Sequence, residues 1–80
     1  MISAEVSVYP FKTNDASTTI NNSIQSLNRY QLEYSVGSIS TYLQGSEDEV
    51  WNGLREMFQQ ACQAGEVSMV ITLTNAASGQ

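Results

Sequence analysis

Histidine is absent from this 80-residue chain, and cysteine and proline each occur once. Without histidine, neither a Ser–His–Asp triad nor a Cys–His pair can be assembled within one chain, and a His/Cys zinc site is excluded. A lone Cys62 excludes an intrachain disulfide. Cations are nearly as scarce: Lys12, Arg29 and Arg55 stand against eight acids, a net charge of −5. Displacing counterions from phosphates takes clustered Lys or Arg, so three scattered cations predict no nucleic-acid partner. No apolar run approaches the ~20 residues of a membrane span or reads as a secretory leader. The expected compartment is the cytoplasm, with no membrane contact. The phosphate-cradling patterns GxxxxGK[ST] and GxGxxG are also missing.

What remains is a chain of 41% apolar residues with only 14% charged, filled out by Ser, Thr, Asn and Gln. Its length predicts one small domain with a thin core. Residues 2–9 alternate strictly. Ile2, Ala4, Val6 and Val8 point one way, and Ser3, Glu5, Ser7 and Tyr9 the other, as in a half-buried strand that Pro10 ends. Residues 14–30 have poor helix propensity, yet Ile20, Ile24 and Leu27 recur at helical spacing and Asn14 or Asp15 can cap the start. Residues 32–36 and 39–44 predict a hairpin through Gly37-Ser38, closed by Gly45.

Ser46-Glu47-Asp48-Glu49 opens a second helix. Ser46 and Glu49 have capping-box spacing, and the acids fall where the helix dipole favours negative charge. That explains the only dense charge run without a metal. Val50, Leu54, Met57 or Phe58, and Ala61 form its buried stripe, with Trp51 packed beside it against the sheet. Cys62 reads as small core filler, and Gly65 suits a C-terminal cap. Residues 66–74 alternate again before a polar tail over 75–80 expected to fray. The order β-α-β-β-α-β predicts an α+β, ferredoxin-like sandwich: one four-stranded antiparallel sheet with two helices on one face.

The uncovered face should carry Ser3, Glu5, Ser7 and Tyr9 with Ser68, Val70, Thr72 and Thr74. In the hairpin, Ile39, Thr41 and Leu43 form the more apolar set, which assigns Ser40, Tyr42 and Gln44 to the open side. Such a face is either solvated or buried against a partner subunit around a polar pocket. An 80-residue domain gains most from the second arrangement. Glu5 has no acid beside it in sequence to make a catalytic pair. The loop Pro10-Phe11-Lys12-Thr13-Asn14 lacks the glycines and arginine of a ferredoxin-like acyl-phosphate hydrolase.

Ala4-Glu5-Val6-Ser7-Val8-Tyr9-Pro10 resembles the opening strand of the small thiamine-binding-protein family. Leu32-Glu33-Tyr34-Ser35-Val36-Gly37, Thr41-Tyr42-Leu43-Gln44-Gly45 and Glu49-Val50-Trp51 resemble its hairpin-to-helix run. The resemblance spans about residues 2–73. It implies a cytoplasmic homo-oligomer, dimer or tetramer, that binds thiamine or its hydroxymethylpyrimidine moiety without transforming it and needs no cofactor. The ligand residues it implies are Glu5, Ser7 and Tyr9 of the first strand and Gly37, Ser38 and Thr41 of the hairpin. Gln44 stands where the family often has Glu. Thr74-Asn75-Ala76 departs from the family's basic, acid-flanked ending, and its members usually run somewhat longer. Alternation sets Thr41 on the helix-covered side, so reaching a ligand on the open face would take a bulge. The alternative function is a ligand-free oligomeric interaction or regulatory module on the same fold, with the hydrolase third.

Overall fold

A computed structural model describes residues 1–11, 15–63 and 65–76. Strand β1 (Ile2–Pro10) is followed by helix α1 (Ala16–Gln25) and a 3-10 turn (Ser26–Arg29). Then come β2 (Glu33–Val36), β3 (Thr41–Gly45), α2 (Glu47–Cys62) and β4 (Val67–Thr74). The strands lie in the order β2-β3-β1-β4, every neighbouring pair antiparallel. The fold is therefore the α+β, ferredoxin-like sandwich that the sequence predicts. The expected loop of Lys12, Thr13 and Asn14 and the tail beyond Ala76 lie outside the described residues.

Alternation in β1 has the predicted result. Ala4 and Val6 are buried under the helices with Leu43, Val50, Leu54, Met57, Ile24 and Leu27. At the choice between Met57 and Phe58, helix phase buries Met57 and leaves Phe58 43% exposed. The helix expected over 14–30 becomes two pieces, because its hydroxyls compete for carbonyls. Ser23 donates to the Thr19 carbonyl at 3.0 Å and Ser26 to the Ser23 carbonyl at 2.6 Å. With the Thr19 hydroxyl donating to the Asp15 carbonyl at 3.3 Å, these bonds let Thr19, Ser23 and Ser26 be buried beside the apolar stripe without an orphaned polar atom.

Gly53 of α2 provides the close approach. A Cβ there would stand 3.0 Å from Leu32 Cδ2 and 3.1 Å from Leu27 Cδ2. Beyond α2 the chain turns at Gly65 with φ +129°, a conformation side-chain-bearing residues avoid.

Both helix starts are capped. The Ser46 hydroxyl accepts from the Glu49 N–H at 3.2 Å, the predicted half of the capping box. The Glu49 carboxylate accepts instead from the Gln31 N–H at 2.8 Å, which ties the loop before β2 to α2. Asp15 caps α1, accepting from the Thr18 N–H at 3.1 Å and the Thr18 hydroxyl at 2.6 Å. The hydroxyl bond first and the backbone bond second hold its carboxyl below the ordinary 3.8. A carboxyl lowered in this way stabilises the fold fully above 3.8 and loses that contribution as pH falls through the folded value. The melting-temperature gap between the native protein and Asp15→Ala should therefore be constant at pH 6–8 and narrow below pH ~4. A gap that widens in acid would reverse the sign.

Three expectations are corrected. Ile39 is 82% exposed, because β3 begins only at Thr41 and Ile39 lies in the turn closed by the Gly37 N–H to the Ser40 carbonyl at 2.9 Å. Cys62 is exposed at the last position of α2, because helix phase turns Ala61 to the core and Cys62 away from it. Trp51 is 48% exposed, standing at the rim where α2 overhangs edge strand β4.

Candidate functional site

The open face is built from two rungs that cross all four strands. Ser35, Tyr42, Glu5 and Thr72 stand opposite one another in one rung, and Glu33, Gln44, Ser3 and Thr74 in the next. Side chains two apart on a strand share a face, so these residues form one polar surface. Between the rungs lies a shallow depression of about 210 Å³, lined by Ser3, Ala4, Glu5, Tyr42, Thr72 and Thr74.

Hydrogen bonds fix its walls. The Tyr42 hydroxyl donates to Ser3 Oγ at 3.0 Å, which holds the ring across the end of the depression and satisfies the buried Ser3. The Ser40 hydroxyl donates to Glu5 Oε2 at 3.2 Å. Glu5 has no cationic partner among the described residues, so its charge stands uncompensated on this face. Ser7 donates weakly to the Ile39 carbonyl at 3.4 Å, tying β1 to the hairpin turn. The depression offers an aromatic wall, hydroxyls of both hydrogen-bonding senses and one anion, Glu5. It suits a flat ligand with donor groups or positive charge.

The six residues singled out in the sequence do not form one cluster. Glu5, Ser7 and Tyr9 are on the open face, but only Glu5 lines the depression. Tyr9 lies along β1 opposite Ser68, about half exposed. Gly37, Ser38 and Thr41 instead line a cleft of about 110 Å³ between α1 and the hairpin, on the helix-covered side. Thr41 pairs with Val6 in unbroken register and is 5% exposed, so no bulge turns it outward. Ser40 touches both places, lining the cleft and bonding Glu5. Ser40 and Tyr42 were missed as site residues. Their signal was the alternation over residues 39–44, which assigns both to the side of Glu5.

No three His, Cys, Asp or Glu side chains among the described residues cluster as a metal site requires. No helix among them is long and apolar enough to cross a membrane.

The family model described as thiamine-binding protein matches residues 4–78. The chain belongs to the thiamine-binding protein family. Solved structures share its fold. A protein from Streptococcus pneumoniae is 24% identical with a TM-score of 0.87, the match covering 96% of this chain and 88% of that one. A hypothetical protein from Methanocaldococcus jannascii is 21% identical with a TM-score of 0.85, covering 99% and 84%. A candidate thiamine biosynthesis/salvage protein from Thermotoga maritima is 18% identical with a TM-score of 0.81, covering 99% and 87%. No match was found among curated proteins.

Proposed function

We propose that this protein binds thiamine or its hydroxymethylpyrimidine moiety in the cytoplasm without chemical change, as a homo-oligomer whose subunits meet through the open sheet face. The observation that carries the reading is the family match across residues 4–78. The geometry supports it. A depression of about 210 Å³ falls short of the roughly 300–1,000 Å³ of closed small-molecule sites, and a second subunit laid on the face would roof it.

In the roofed site the pyrimidine ring lies against Tyr42. Its amino group donates to Glu5 or Ser40, and its ring nitrogens accept from hydroxyls of Ser3 or Thr72. The thiazolium rests near the Glu5 carboxylate. Ser7 and Tyr9 belong to the rim that the partner covers, while Gly37, Ser38 and Thr41 support the hairpin turn from which Ser40 reaches Glu5.

Titration calorimetry with thiamine and with hydroxymethylpyrimidine, with mass in solution measured on the same sample, tests the reading. Saturable binding by an oligomer, with ligand recovered unchanged, is expected. An oligomer that binds neither would leave only a ligand-free module. A monomer that binds nothing would remove the subunit-roofed site as well.

A further inference from the structure

On the helix-covered side, away from the polar face, α2 and β4 border an open groove of about 410 Å³ lined by Trp51, Leu54, Arg55, Phe58, Met69 and Ile71. It exists because β4 is an edge strand and α2 overhangs the rim of the sheet. Trp51 and Phe58 expose nearly half their surface there, and Ile71 is 39% exposed. An apolar recess of this volume with one convergent charge has the make-up of a small-molecule site.

The charge distinguishes it. In a chain of net charge −5, Arg55 is the one charged side chain lining the groove. Arg29 is paired, 3.6 Å from the Glu56 carboxylate. The Arg55 guanidinium makes only a 3.4 Å contact to Asn52 Oδ1 and meets no carboxylate among the described residues. Its planar fork is thus left to accept an anion bidentately while the aromatic walls take up apolar surface. The same charge disfavours a thiazolium, so the groove and the open face select ligands of opposite sign.

We propose that the α2/β4 groove is a second binding site, for a small apolar ligand bearing a single carboxylate. The site is independent of the proposed thiamine site.

The probe is 4-phenylbutyrate, compared with its neutral counterpart 4-phenylbutanol. Binding is followed by the emission of Trp51, the only tryptophan, and by the Met69 methyl signal. The acid should bind saturably, shift Trp51 emission to the blue, move the Met69 signal and bind about fivefold tighter than the alcohol, as a partly exposed ion pair allows. Arg55→Met keeps the apolar stem and should bring the two ligands level. Phe58→Ala should weaken both. Thiamine titrations should be unchanged by saturating phenylbutyrate. Absence of saturable binding, or equal affinity of acid and alcohol for the native protein, would overturn the proposal. So would Trp51 emission that shifts with protein concentration alone, since a second copy would then fill the groove.

Discussion

Leu27→Ala is expected to lower the unfolding free energy by about 3–4 kcal/mol, in the upper part of the range for buried leucines. Leu27 is fully buried on the 3-10 turn, in one cluster with Ile24, Val50, Leu54 and Met57. The size of the loss depends on whether neighbours can relax into the space. Here the facing position is Gly53, which has no side chain to move into it. A chain of 80 residues has roughly 4–12 kcal/mol in total, so the variant should have a much larger unfolded population. Urea denaturation measures the change. The double variant Leu27→Ala/Gly53→Ala should recover part of the loss, because the contact with Leu27 is gone and the end of the Leu32 side chain, 3.0 Å from the new Cβ, can shift into the vacated volume. A loss below about 1 kcal/mol in the single variant would mean that the core closes over the gap.

Glu5→Gln is expected to weaken thiamine binding about tenfold while changing hydroxymethylpyrimidine binding much less. The substitution preserves shape and an acceptor oxygen, and it removes the uncompensated charge. A charge-assisted contact in a roofed site has an effect of about this size. Because Glu5 is exposed in the single chain, melting temperature should hardly move, which separates a binding effect from a folding one. Parallel calorimetric titrations of both ligands decide the matter. Equal losses for the two would move the role of Glu5 to the pyrimidine amino group. Unchanged affinity for both would take Glu5 out of the site.

The strands were legible because side chains alternate between the two faces of a sheet, and the sequences of β1 and β4 follow that period, although burial departs from it at Ser3, covered by Tyr42, and at Ile71 on the open edge. The Ser46 cap was legible because it is local. The destination of the Glu49 carboxylate was not, since Gln31 is close only after the loop folds against α2. Ile39, Trp51 and Cys62 were misplaced for a related reason. Apolar character says that a residue gains from cover, and only the ends and edges of elements decide whether cover exists. At the site, the open face was readable from parity. The partnership of Glu5 with Ser40 and of Ser3 with Tyr42 depends on the register of β1 against β3, which one chain's pattern does not encode. Gly37, Ser38 and Thr41 came from family likeness alone, and they sit across the sheet from Glu5.

The eight-residue register between β1 and β4 also bears on how the sheet can close. β1 is a central strand whose two partners arrive late, β3 after the first helix and β4 after the second. Ser3 faces Thr74 across almost the whole chain, so much of the sheet's pairing carries a large loop-closure entropy. During synthesis, β1 emerges first and stays without a partner on either edge until β3 has left the ribosome. Its β4 side remains open until the last strand follows. The polar alternation of Ser3, Glu5 and Ser7 then leaves the waiting strand with one polar face.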